Sequence, residues 1–312
     1  MRRAAPMRLA VTGTGGQVAR ALLERGPACG VEVAAVGRPE LDLAAGRVEA
    51  LAAARPDVIV NAAAYTAVDG AERESDLAFA VNADGAGAVA ELAAALRVPV
   101  IQLSTDYVFE GSGTRPYRET DPVGPVSAYG RSKLAGEVAV ARAGPDHAIL
   151  RTAWVYAPWG RNFVRTMLDL AETRDEVAVV CDQHGAPTYA LDIADAVVQV
   201  ARNLLARPDE AALRGVFHMT GEGHTTWNRF AQAVFAEAAR LGRPHARVRA
   251  VPAAEYPTPA RRPSNSRLDC TKLADTHGVA LPCWQASLRA CVERLAARDR
   301  IEGSEQMRGV GL

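Results

Sequence analysis

Arg8-Leu9-Ala10-Val11, running through Gly13-Thr14-Gly15-Gly16-Gln17-Val18-Ala19, is the stretch that decides the fold. The first four residues read as a short buried strand. A glycine-rich turn follows, and then an apolar-periodic helix from Ala19 to Arg25. A strand, such a turn and a helix start, in that order, aim backbone N–H groups and a helix dipole at a phosphate. The expected contacts are Gly13, Gly15 and Gly16 in the turn, with Gln17 and Val18 opening the helix. The spacing Gly13-x-x-Gly16-x-x-Ala19 differs from G-x-G-x-x-G by one residue in its first interval, and alanine at the third position still permits close helix–strand packing. A tight turn without a ligand would use the same residues. Its place directly after the first strand favours dinucleotide binding.

The second strand, Val31-Glu32-Val33-Ala34-Ala35-Val36, ends in Gly37-Arg38. A site for NAD carries an acidic residue there to hold the ribose 2′-hydroxyl. A guanidinium suits a 2′-phosphate by charge and by its fork of donors, so NADPH is expected, with NADH left open. Asp42 and Leu43 are expected at the cofactor, Asp42 as a contact to adenine or alternatively as the cap of the next helix.

Strands and helices alternate onward: 57–61, 75–96, 100–104, 127–143 and 147–151. That alternation predicts an α/β chain: a Rossmann-type doubly wound parallel sheet with a smaller C-terminal substrate-binding domain. The nucleotide domain is placed at 7–157, with 177–205 returning to it as a strand and a helix. The smaller domain is placed at 158–176 and 206–299, with amphipathic helices at 162–173 and 226–241. The Pro-rich segment 251–263 reads as a loop over the ligand cleft, and 300–312 as a flexible tail.

Lysine plus arginine and aspartate plus glutamate each number 36, so no overall field attracts nucleic acid or an anionic membrane. Alanine and arginine dominate, which points to genome base composition rather than to function. Five cysteines, odd in number and without CxxC spacing, fit thiols in a reducing compartment, and a cytoplasmic location is expected. Residues 1–6 are basic but lead into no apolar core of a secretory signal, and no apolar run approaches the ~20 residues of a membrane span.

The chemistry is expected at two places. Ser104-Thr105-Asp106-Tyr107 directly follows the apolar strand ending at Leu103, and ligands of doubly wound sheets bind beyond the carboxyl ends of their strands. In Ala128-Tyr129-Gly130-Arg131-Ser132-Lys133, the tyrosine and lysine are four apart, so on a helix they share a face. A nearby cation favours the phenolate and brings a tyrosine toward its working range. Thr105, Tyr129 and Lys133 together form a candidate catalytic triad.

With these residues in place, the chain resembles the extended short-chain dehydrogenase/reductase superfamily, and within it the dTDP-4-dehydrorhamnose reductase family. The narrower likeness rests on Asn61-Ala62-Ala63-Ala64-Tyr65-Thr66-Ala67-Val68-Asp69, Ser104 to Phe109, Arg151 to Tyr156, Gly160 to Phe163, Asp182 to Thr188 and Arg262 to Ser266. It spans the chain from about Met7 to about Ala297. It implies NADPH-dependent reduction of the 4-keto group of dTDP-4-dehydro-6-deoxy-L-mannose to dTDP-L-rhamnose. It also implies cofactor contacts at Ala62, Ala63, Ala64, Tyr65, Tyr129 and Lys133, and sugar-nucleotide contacts at Thr105, Asp106, Tyr107, Trp154, Asn162 and Arg262. The partner is then a dTDP-sugar, not nucleic acid or membrane, and a homodimer is left open. Leu191 and Arg289 stand near where some members carry carboxylates for magnesium, so no metal site is expected. Two rivals are a related epimerase, dehydratase or other 4-ketohexose reductase and a non-catalytic dinucleotide-binding regulatory subunit. The Tyr107 after Asp106, where a dehydratase would add a second acid, weighs against a dehydratase. The intact Thr105, Tyr129 and Lys133 weigh against the regulatory subunit.

Overall fold

The computed structural model describes residues 5–309. Its main sheet contains β1 (Met7–Thr12), β2 (Val31–Val36), β3 (Val58–Asn61), β4 (Val100–Thr105) and β5 (His147–Thr152). The order across the sheet is β2-β1-β3-β4-β5, with the strand Gly215–His218 beyond β5, and every pairing is parallel. The winding reverses between β1 and β3. Loops leaving those two strands diverge, and the ligand crevice of a doubly wound sheet opens at such a point.

Side chains alternate across each strand, so each strand serves two cores. Leu9, Val11, Val58, Val60, Ile101 and Leu103 face one layer, which is covered by α1 (Gln17–Ala28) and a later helix, Ala190–Ala206. Ala10, Ile59, Val100 and Ile149 face the other layer, which is covered by α2 (Ser75–Leu96) and α3 (Ala128–Ala143). Helix α2 is long and apolar enough by composition to cross a membrane, contrary to the reading of the sequence, but more than half of its most apolar stretch is buried. Its alanines let it lie close to α3. At Gly136 of α3 an added Cβ would run into the Asn82 carbonyl oxygen of α2.

Beyond β5 the chain forms α4 (Phe163–Ala171), β6 (Glu176–Val180), α5 (Ala190–Ala206), β7 (Gly215–His218), α6 (Trp227–Arg240), β8 (Arg247–Val251), α7 (Thr271–His277) and α8 (Trp284–Gly309), of which α4, β6, α6, β8 and the start of α8 build the smaller lobe. Elements β6, β7, α7 and α8 depart from the expected boundaries. Helix α5 does pack on α1, burying Ile193, Val197 and Leu204 in the sheet's core. Strand β6 does not return with it, but pairs in parallel with β8 in the smaller lobe. Its burial alternates, whereas β3 and β4 are buried throughout, so β6 suits a sheet covered on one side. The strand that completes the main sheet is β7, and Leu273 of α7 packs beneath it in the same core. The expected tail at 300–312 continues α8 as far as Gly309, in keeping with its Arg, Glu and Gln content; residues 310–312 lie outside the described residues.

Candidate active site

The turn after β1 is built as the sequence suggests. Gly13 sits at φ +86°, a conformation glycine adopts without strain, and its N–H donates to the Val36 carbonyl at 2.6 Å. Gly15 and Gly16 are exposed, and nothing lies within 4 Å of where their Cβ atoms would project. Gly16 caps α1 with no side chain over its first N–H groups. The Gln17 amide reaches the Val155 carbonyl at 3.4 Å, and Val18 turns into the core.

Below this turn runs a buried polar chain that sequence reasoning missed. The Thr12 hydroxyl accepts from the N–H groups of Ala62 and Ala63, both at 2.9 Å, and donates to Asn61 Oδ1 at 2.7 Å. Asn61 donates to Gln102 Oε1 at 2.7 Å, Gln102 donates to the Leu103 carbonyl at 2.8 Å, and Lys133 Nζ donates to that same carbonyl at 2.7 Å. The chain crosses β1, β3 and β4 to α3, so the end of the glycine turn and Lys133 belong to one bonded frame. A second brace starts where α2 widens into a π turn at Ala80–Asp84. From it Asn82 bonds both the N–H and the carbonyl of Tyr65, at 2.9 and 3.0 Å, and donates to Ser132 Oγ at 2.9 Å. Ala64 lies half-buried between these braces.

Thr105 ends β4. It donates to Asp106 Oδ1 at 2.9 Å and accepts the Tyr107 N–H at 3.2 Å. Tyr129 lies in the first turn of α3, which Ser127 caps by accepting the Gly130 N–H at 3.1 Å. The Tyr107 and Tyr129 rings meet edge to face at 5.7 Å. Burial pushes the Tyr129 phenol up to about 12, and a hydrogen bond with the Thr105 hydroxyl pulls the other way. Burial pulls Lys133 down to about 8, with Glu137 opposing. The expectation that Lys133 lowers the Tyr129 pKa is therefore not met, because the ammonium turns to the Leu103 carbonyl and desolvation of the phenol dominates. Burial also lifts Asp106 to about 6, against hydrogen bonds from Ser266 and Thr105.

Other expected contacts are engaged elsewhere. Asp42 accepts the Ala44 N–H at 3.1 Å and caps the turn Leu43–Ala45, the second of the two roles considered for it, while Leu43 itself is buried. Arg38 is exposed at the end of β2. Trp154, at φ +49°, stacks on Trp227 with ring centres 3.5 Å apart, and the Gly185 backbone lies against its indole. The face expected to meet the sugar is thus packed into the smaller lobe. Asn162 Nδ2 donates to the Ala157 and Trp159 carbonyls at 2.8 and 3.2 Å, and its Oδ1 caps α4 through the Arg165 N–H. Its amide is spent on the protein rather than offered to a diphosphate. Arg262 does reach across from the Pro-rich segment, pairing with Asp69 at 2.9 Å beside the Ala260 N–H bond to the same carboxylate at 3.1 Å. Arg289, at the place considered for a metal carboxylate, pairs with Glu237 at 3.3 Å.

Two further residues form the floor. Glu137, one turn after Lys133 on α3, accepts Arg151 Nε and Nη2 at 2.9 and 2.6 Å and the Ser104 hydroxyl at 2.5 Å. The sequence carried a signal for Glu137, since Tyr129, Lys133 and Glu137 recur at intervals of four. It carried another for Lys133: of the 36 basic residues only Lys133 and Lys272 are lysines. In a chain that otherwise uses arginine, such a position needs a compact ammonium rather than a planar guanidinium.

A doubly wound parallel sheet with a phosphate-type turn after β1, and with threonine, tyrosine and lysine gathered at the end of β4, defines an oxidoreductase of the short-chain dehydrogenase/reductase type. The family model described as RmlD substrate binding domain matches residues 7–297. The dTDP-4-dehydrorhamnose reductase of Sinorhizobium fredii is 54% identical over 288 residues, covering 92% of this chain and 97% of that one. That of Burkholderia thailandensis is 44% identical over 303 residues, covering 94% of this chain and 100% of its own. Among solved structures, dTDP-4-dehydrorhamnose reductase from Bacillus anthracis in complex with NADP superposes with a TM-score of 0.85 at 32% identity, covering 93% of this chain and 99% of that one. The chain belongs to the dTDP-4-dehydrorhamnose reductase family of oxidoreductases.

Proposed function

We propose that the protein reduces the 4-keto group of dTDP-4-dehydro-6-deoxy-L-mannose to dTDP-L-rhamnose, drawing on NADPH. The observation that carries this reading is the meeting of Thr105 and Tyr129 at the end of β4, with Lys133 bonded through Leu103, Gln102 and Asn61 to the base of the glycine turn. The names of the relatives agree with it, and the Bacillus anthracis relative was solved with NADP.

The residues present fit the cofactor. Gly15 and Gly16 leave open space before the helix start, and Arg38 is exposed at the end of β2 for a 2′-phosphate. NADPH bound there would supply the two-electron reducing equivalent. Tyr129 gives a proton to the carbonyl oxygen, and its high pKa keeps it protonated until that oxygen gains charge. Thr105 turns its hydroxyl from Asp106 to the same oxygen. Lys133 would hold the cofactor through its ribose. Asp106 and Tyr107 face the sugar, and Arg262 exchanges Asp69 for the substrate's diphosphate.

Purified protein incubated with the 4-keto sugar nucleotide and NADPH should consume NADPH in step with a product that NMR identifies as dTDP-L-rhamnose. NADPH left unconsumed, or a product with the other configuration at carbon 4, overturns the reading.

A further inference from the structure

Lys133 and Glu137 lie one helical turn apart on the inner face of α3, each with about 4% of its surface exposed. A charge so placed is costly unless the surroundings return the lost hydration. Lys133 has one backbone carbonyl, that of Leu103. The Arg151 guanidinium, also about 4% exposed, comes in from β5 onto Glu137 and lies over the Phe109 ring at 5.1 Å. Arginine does not deprotonate in proteins, so two buried cations adjoin one carboxylate, Glu137. Glu137 is the anion bonded to Arg151, held by three hydrogen bonds from Arg151 and Ser104.

Other groups around Lys133 do not replace it. Its own helix adds Tyr129, and the end of β4 adds Asp106 and Tyr107, which burial drives toward their neutral forms. The opposing helix α2 presents Asn82, while its Asp76, Asp84 and Glu91 are exposed. The adjoining Glu72 is exposed as well and accepts the Ala128 N–H.

We propose that Glu137 is a positioning residue for the reduction: anchored by Arg151 and Ser104 one helical turn from Lys133, its charge keeps Lys133 a charged ammonium turned toward β4. The Ser104 bond to Glu137 ties this floor to the strand that ends in Thr105, so the charge and the position of Lys133 are set together. The low pKa of Lys133, near 8, leaves little margin, and loss of the Glu137 charge would neutralise the amine at working pH. The proposal rests on Lys133 acting as a charged donor in the reductase.

With only two lysines in the chain, selective ¹³C-lysine labelling yields two Cε signals, and Lys272, which is exposed, serves as internal reference. Titrating these signals by NMR reads the Lys133 pKa without any turnover, so failure of the proposed activity would not blur the result. Glu137→Gln should lower the Lys133 midpoint by about one pH unit or more, as loss of a nearby opposite charge does. Arg151→Met should raise it, and Glu137→Gln combined with Arg151→Met should return it close to wild type. The alkaline limb of kcat/KM should follow the same order. If Glu137→Gln does not fold, Arg151→Met and the double variant still decide. A Lys133 midpoint that stays at the wild-type value in Glu137→Gln, or in Arg151→Met, overturns the proposal.

Discussion

Around the main sheet the two core layers are made chiefly of alanine, valine, leucine and isoleucine, whereas the smaller lobe gathers Tyr156, Tyr189, Phe230, Phe235 and Trp284 into one cluster. The sheet half also buries the charged and amide groups Lys133, Glu137, Arg151, Asn61 and Gln102. Flat helix–sheet layers are filled best by short branched side chains, and close strand spacing lets neighbouring polar groups satisfy one another. The smaller lobe has a two-stranded sheet and separated helices, so wide rings fill its irregular gaps. Phe230 is their hub, within 5.3 to 5.6 Å of Tyr156, Phe163 and Trp284 by ring centre. Chemistry sits where polar groups can be buried in register. Bulk sits where register is absent.

Tyr129→Phe tests the first half most severely. Removing a positioned proton donor should cost ~10²–10⁴ in turnover with melting unchanged. Turnover within a few-fold of wild type, in a folded variant, would take the chemistry away from the sheet edge. The mirror experiment is Phe230→Ala, which should cost about 3–5 kcal/mol of stability through the cavity it leaves. Denaturant titration showing less than 1 kcal/mol would mean the aromatic cluster can collapse around the gap.

Asp106 sharpens the comparison by pH. Its pKa in the folded protein, about 6, lies above the unfolded value. Its protonated form therefore contributes stability that is fully present below the unfolded pKa and is lost as pH rises through about 6. Asp106→Asn should gain on wild type by up to about 3 kcal/mol between pH 4 and pH 7. Parallel stability curves for the two proteins across that interval would show that burial does not raise this carboxyl. The smallest effect is expected at the rim. Arg38→Ala should weaken NADPH binding about tenfold to a hundredfold, the loss of roughly 1.5–3 kcal/mol from one charged hydrogen bond, and leave NADH binding little changed. Equal losses for both cofactors would give Arg38 another role.

The sheet half was far more legible in the sequence than the smaller lobe. The reading placed β2 at its observed bounds, and α3 and β5 to within a residue. Each was announced by a short, mainly apolar run or by a helix with its cap, signals that depend on local backbone preference. Strand β8 went unread because arginine alternates with small residues along it and its exposure is high; it exists only because β6 lies beside it. Trp154 was read toward the sugar because an aromatic after a strand end fits either a pocket or a core. Its partner Trp227 lies 73 residues away, a pairing that no local pattern carries.

By itself, the sequence determined the α/β class, the glycine turn after β1, the gathering of Thr105, Tyr129 and Lys133 at strand and helix ends, and the family to which the chain is similar. These follow from period, turn chemistry and short-range spacing, which act within a few residues. Tertiary structure alone decided that β7 closes the sheet, that Asp69 holds Arg262, and that Arg151 and Ser104 converge on Glu137, one turn from Lys133. Those contacts join residues from 14 to 193 positions apart. Burial then sets what such groups do, because a charge removed from water takes its state from whichever partners the fold brings to it.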